Sequence, residues 1–257
     1  MNRKTSRREF LVSGAATAAV CVLGAGGAMA ADAARRTVVV WSEGSAPKKV
    51  YPDDINTVIA DGLKKDLEGW NVVVANLKDP EQGLSDELLN KADVLIWWGH
   101  TKHGDVKDAL VDKIVKRVKE EGMGFISLHS SHFAKPNRKL MGTRCSWGAY
   151  VGDSVTLKVT VKDPNHPIAQ GVKEFTIDHH ERYSDPYAVP KADSIVFEGV
   201  ATLKDGKTDA SQQGFAWQID KGKMFYFQGG HETDPVFMDL NVRKIMANAV
   251  KWAALAK

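Results

Sequence analysis

The stretch Asp93-Val94-Leu95-Ile96-Trp97-Trp98-Gly99-His100-Thr101-Lys102-His103-Gly104 decides how the rest of the chain is read. Residues 94–97 form a short, unbroken apolar run of the kind that suits a strand covered on both faces. Gly99 interrupts it, and two imidazoles follow at once, at His100 and His103. Reactive side chains set just past a buried strand suit an open α/β sheet, where ligands sit outside the carboxyl ends of the strands.

The same grammar extends in both directions. Upstream, residues 37–41 (TVVVW) predict a strand and residues 53 or 54 to 67 a helix, with Ile55, Val58, Ile59, Gly62, Leu63 and Leu67 at helical spacing. A second strand at 71–75 and a short helix near 85–90 lead to the 94–97 strand. Downstream, an amphipathic helix is expected over 105–121, with Val106, Leu110, Ile114, Val115 and Val118 inward. Gly122 and Gly124 end it, and "FISLH" (125–129) makes a fourth strand. Alternating strand and helix imply a mostly parallel central sheet in an α/β three-layer sandwich. The second half is less regular. Segments 155–161, 194–199 and 223–230 read as strands, and 241–255 as a covering helix with Val242, Ile245, Met246, Ala249, Val250 and Trp252 inward.

The first 30 residues belong to a different category. Arg3, Lys4, Arg7 and Arg8 precede an Ala/Gly/Val-rich run, and Ala28-Met29-Ala30 fits a small-x-small cleavage site. Ser6-Arg7-Arg8-Glu9-Phe10-Leu11 resembles a twin-arginine export signal. The expectation is a signal peptide over 1–30, a single domain over 31–257, and a periplasmic or otherwise exported product with no stable membrane anchor after cleavage. Residues 1–30 carry four basic groups and one acidic, so they account for the whole +3 of the 257-residue chain. The remainder is close to neutral and offers no basic stripe for nucleic acid. Cys21 falls in the signal, which leaves Cys145 without an internal disulfide partner.

Residues suited to proton transfer collect at strand ends. His100 and His103 follow the third strand, His129, Ser130 and His132 the fourth ("LHSSHF"), and His231 with Glu232 the late strand "FYFQGG". If those strands are parallel neighbours, these groups converge. His129, His231, Glu232 and His100 are the catalytic candidates, with Ser130 as a substrate contact. The pairs His100/His103 and His129/His132 hold enough imidazole for a divalent metal such as zinc. Trp97 and Trp98 point to opposite faces of an extended chain, so one belongs to the core while the other is a candidate to pack on a sugar ring. "DHHERYSDPYA" (178–188) reads either as a solvated loop or as a substrate-facing lid that turns Glu181, Arg182 and Tyr183 inward. Cys145 reads as packing, because a reactive thiolate needs a neighbouring base.

Four segments, "VLIWWGHTKHGDV", "GMGFISLHSSHFAKPNRKLMGTRC", "DPNHPIAQGV" and "FYFQGGHETDPVFMDLNVRKIMANAVKWA", together resemble the trehalose-utilisation (ThuA-like) family over about residues 38–253. That resemblance implies a flavodoxin-like fold similar to class I glutamine amidotransferases. In the amidotransferase pattern a cysteine occupies the sharp turn after a central strand; here that turn carries His129, which removes the thiol their chemistry needs. His231 and Glu232 fall about where the amidotransferase histidine and glutamate stand. The segment at 178–188 is similar to one usually richer in carboxylates, and His179 and His180 depart from it. The family link implies a small-molecule carbohydrate substrate such as a 3-keto sugar or glycoside, processed by an isomerase, lyase or hydrolase using histidine acid–base chemistry. A non-catalytic sugar-binding or accessory protein that keeps the cleft is the competing expectation.

Overall fold

Strand β1 (Thr37–Ser42) is buried at every position, and so are β3 (Val94–Trp98) and β4 (Gly124–Leu128). Their continuous Val/Ile/Leu/Trp character follows from having helices on both sides. The computed structural model describes residues 35–254, and the expected export signal lies outside them. With β2 (Asn71–Asn76) and β9 (Gly222–Phe227) these strands form a parallel half-sheet in the order β2-β1-β3-β4-β9. Side chains alternate between two cores. Val38, Val40, Ile96 and Trp98 pack with α1 (Ile55–Asp66) and α5 (Leu240–Ala253). Val39, Trp41, Leu95 and Trp97 face α2 (Asp86–Lys91), α3 (Asp108–Glu121) and α4 (Lys135–Met141). This is the three-layer α/β sandwich expected.

Local chemistry sets the helix limits. The Asp54 carboxylate caps α1 by accepting from Ile55 N, and Asp239 caps α5 by accepting from Asn241 N and Val242 N. Gly122, at φ 81°, ends α3 in the left-handed conformation that glycine adopts without strain. The expected helix from 105 divides into a single 3-10 turn at His103–Asp105 and α3 proper. His166 caps the 3-10 turn Pro167–Ala169 by accepting from Ile168 N.

The second half extends the sheet with antiparallel strands, β9-β8-β7-β5-β6, built from β5 (Trp147–Val161), β6 (Phe175–Tyr187), β7 (Ser194–Leu203) and β8 (Thr208–Ile219). Segment 178–188 is therefore neither a loop nor a lid: most of it is the body of β6. Register shifts between Trp147 and Ala149 and between Val151 and Ser154 bend the β5–β6 hairpin. The bent part of β6 lies against β8 and the end of β9, where Tyr183 N donates to Gln228 Oε1 (3.1 Å) and Asp185 Oδ2 accepts from Gln212 N (3.0 Å). Among the described residues no helix is long and apolar enough to cross a membrane.

Candidate active site

β3, β4 and β9 are adjacent and parallel, so the residues that follow them emerge side by side. The chain order reverses between β1 and β3, the switch point at which open sheets leave a crevice. His100 follows β3, His129 follows β4, and His231 lies beyond β9. Their ring centroids are 6.0 Å (His100–His129), 5.0 Å (His100–His231) and 5.3 Å (His129–His231) apart. The three imidazoles thus meet although they are spread over more than half the chain.

Glu181, delivered by the bent strand β6, stands at their centre. Its Oε2 is 2.9 Å from His231 Nε2 and 3.0 Å from the Tyr150 hydroxyl. Its Oε1 accepts from Tyr183 OH (3.0 Å) and lies 3.3 Å from His129 Nε2, without hydrogen-bond alignment. Ser130 Oγ bonds the same Tyr183 hydroxyl at 2.8 Å. Burial pushes the Glu181 carboxyl up, but the contacts from His129 and His231 outweigh it and hold the group well below the usual carboxylate range.

Fixed backbone partners settle which ring nitrogen carries hydrogen. His129 Nδ1 faces the Gln228 carbonyl at 2.9 Å, and a carbonyl only accepts, so Nδ1 is protonated and Nε2 faces Glu181. His231 Nδ1 accepts from Thr233 N at 3.3 Å, which leaves its hydrogen on Nε2 for donation to Glu181. Both histidines therefore turn Nε2 toward one carboxylate, and His231 does so with its hydrogen. His100 Nδ1 bonds Glu232 Oε1 at 2.6 Å. That hydrogen bond raises the His100 pKa, against the opposing effect of burial. Burial alone would raise the Glu232 pKa, but the bond from His100 leads the effects that lower it. For His231, burial pulls down while the Glu181 bond and charge pull up, with a net rise.

Glu43, just past β1, is 1% exposed and shapes the loop that carries His100. Its Oε1 accepts from Thr101 N (2.7 Å), Thr101 Oγ1 (3.0 Å) and Ser45 Oγ (2.7 Å), and its Oε2 from Lys102 N (3.0 Å). Ser131 Oγ accepts from Gly99 N at 2.8 Å and so ties the ends of β3 and β4 together. Sequence reading missed Glu43, Tyr150, Gln228 and Thr233. The one available signal was Glu43 itself, a charged residue directly after a wholly apolar strand.

Several expectations need correction. Trp97 and Trp98 are 1% and 0% exposed. Trp97 stacks on Trp41 with centroids 3.7 Å apart, and Trp98 Nε1 donates to Gly230 O at 2.9 Å inside the other core. Neither indole can meet a sugar. Arg182 shares the 178–188 segment with Glu181 but, by strand alternation, points to the opposite face, where it pairs with Asp209 and Ser184. It does not line the site with Glu181. The metal set His100, His103, His129, His132 does not assemble either. His103 packs near Phe133 (6.4 Å), and burial lowers its pKa. His132 is enclosed by Phe133 and Tyr183 and bonds the His129 carbonyl. The described donors that do converge are His100, Glu181 and His231, within 4.8 Å of one another. Cys145 is fully buried beside Asn137 and Thr143, and burial raises its thiol pKa.

Comparison with known proteins agrees with this architecture. A ThuA-like protein from Parabacteroides merdae superposes with a TM-score of 0.62 at 12% identity, covering 85% of this chain and 89% of that one. A glutamine amidotransferase from Thermotoga maritima gives 0.51 at 12% identity, over 84% and 96%. The carbohydrate deacetylase Agd3 gives 0.52 at 12% identity, over 84% of this chain and 32% of that one. These likenesses establish the fold. No curated protein matches the chain in sequence. The family model described as trehalose utilisation matches residues 37–253, and the chain belongs to this ThuA family.

Proposed function

We propose that this chain is an exported carbohydrate-processing enzyme that acts on 3-keto sugars or glycosides by histidine acid–base chemistry. The observation that carries the reading is the meeting of three strand-end imidazoles around Glu181. The family's link to trehalose utilisation and the carbohydrate deacetylase among its structural neighbours support the substrate class.

A ketone at C3 acidifies the proton on C2. His129 Nε2, with its Nδ1–H anchored on Gln228 O, is placed to take that proton. The C–H pair becomes the enolate, whose oxygen shares the His231 Nε2–H with Glu181 Oε2. Return of the proton to C2 gives isomerisation. Expulsion of the C1 substituent gives elimination, with His100 supplying the leaving group's proton because Glu232 favours its charged form. Glu181 stays anionic and balances charge as protons move. Tyr150, 63% exposed with its hydroxyl on Glu181, is the aromatic that a sugar ring would meet first.

A divalent ion at His100, Glu181 and His231 is the second reading, favoured by their 4.8 Å grouping. His100 fits, since Glu232 orients its Nδ1 and leaves Nε2 for a ligand bond. His231 fits once its hydrogen moves from Nε2 to Nδ1, where Thr233 Oγ1 at 2.7 Å can accept it and Nε2 is freed for a ligand bond. Bound there, the ion would polarise the substrate carbonyl as a Lewis acid.

The test is NMR of methyl 3-keto-α-D-glucopyranoside and its non-keto parent in heavy water with purified protein, with and without chelator. Loss of the C2–H signal or release of methanol is expected from the ketone only. Binding of both sugars without exchange or release would make the chain a sugar-binding protein instead.

A further inference from the structure

His129 holds φ 51°, a left-handed conformation that residues with a side chain rarely adopt. Such a conformation persists only where its surroundings over-determine it. Two donors converge on its carbonyl: Tyr226 OH at 2.9 Å, and His132 Nδ1 at 3.0 Å. Because a carbonyl only accepts, His132 must carry hydrogen on Nδ1. Tyr226 reaches across from the neighbouring strand β9, while His132 closes the same 3-10 turn, His129–Phe133. Both are fully buried. The His132 ring is itself held by Phe133 (centroids 4.0 Å apart) and by Tyr183 (4.6 Å), which links the turn to the strand that delivers Glu181.

We infer that His132 and Tyr226 are positioning residues that lock the left-handed backbone of His129 and thereby aim its imidazole between the Gln228 carbonyl and Glu181. The direction of a side chain follows its backbone dihedrals. A turn that relaxed to ordinary φ would swing the ring off Gln228 O and away from Glu181. Burial holds the His132 pKa down to about 3, so neutral His132 keeps its single hydrogen, on Nδ1, throughout the neutral range. The inference rests on reading His129 as part of the acid–base site, but its test uses no substrate.

Protein labelled with nitrogen-15 at histidine should show a slowly exchanging His129 Nδ1–H, assigned by its loss in His129→Asn. Tyr226→Phe and His132→Phe are each expected to speed that exchange about tenfold, the scale of one buried hydrogen bond. His132→Asn, whose Nδ2 can stand where His Nδ1 did, should keep the exchange slow. A role confined to packing would lower thermal stability in every His132 variant and leave the Nδ1–H signal alone. Should His132→Phe fail to fold, Tyr226→Phe, which removes one oxygen atom, carries the same expectation. Exchange accelerated less than about threefold in the folded variants overturns the inference; a larger acceleration supports it. Failure of the keto-sugar assay with this signature intact would remove the proposed reaction and leave the positioning in place.

Discussion

In the parallel half of the sheet, His100, His129 and His231 lie just beyond the ends of buried strands. In the antiparallel half, Glu181 and Tyr183 come from the middle of β6, a strand whose segment 178–182 is wholly polar and which is buried on both sides along 180–183. The first half places groups by topology, since parallel neighbours must release their chains at one edge. The second half places them by bending, since only the irregular β5–β6 hairpin brings a mid-strand carboxylate to that edge. A half-sheet of regular units can thus supply the imidazoles, and an irregular addition supplies the charge that organises them.

The strongest way to break this comparison is Glu181→Gln. The amide keeps the shape and loses the charge to which His129 and His231 are addressed, so turnover of the 3-keto glycoside should fall about 10³-fold with the fold intact. A loss below tenfold would mean that the parallel half suffices. His129→Asn comes next. Asparagine tolerates the left-handed backbone but offers no titrating nitrogen, so turnover should drop about 10²-fold while the melting temperature moves little. Arg182→Leu tests the far face of the same strand. It removes a fully buried guanidinium from Asp209 and should cost ~3 kcal/mol by denaturant unfolding. A folded variant with full stability would show that the bend in β6 does not depend on that pair.

Smaller effects sharpen the contrast. Trp97→Phe should cost ~2 kcal/mol of stability through lost packing on Trp41 and leave turnover unchanged. Tyr150→Ala should do the reverse, weakening sugar binding with unfolding unaffected, because its ring faces solvent. The His100–Glu232 pair gives the smallest signal. Its raised histidine contributes stability that is full below 6.5 and is lost as pH rises through the folded value. Its depressed carboxyl contributes stability that is full above 4.5 and is lost as pH falls through the folded value. The melting-temperature difference between wild type and Glu232→Gln should therefore be greatest between those limits and shrink on either side. A difference independent of pH would separate the two groups.

The apolar runs at β1, β3 and β4 and the helical spacing of 55–67 and 241–255 were legible because burial on both faces, or on one stripe, leaves a periodic trace in composition. So were the strand-end histidines, whose convergence follows once those strands are parallel and adjacent. β6 left no such trace. Asp178, Glu181 and Asp185 have weak strand preference, and the strand is held by partners far along the chain: Gln228 on Tyr183, Gln212 on Asp185 and Asp209 on Arg182. β8 was missed for a related reason, since Phe215, Trp217 and Ile219 mark its inward face only at the end of a polar run.

The sequence by itself determined the layered architecture, the family, and the three histidines at the sheet edge, because each depends on patterning local to one element and on the fixed hand and order of its connections. It also limited the two indoles to opposite faces, though not to the core. Only the tertiary structure decided that both tryptophans are buried, that Arg182 turns away from Glu181, and that one carboxylate sits among three imidazoles with their hydrogens assigned. Those outcomes depend on which backbone donor or acceptor faces which side chain across strands, and spacing along the chain carries no information about such cross-strand partners.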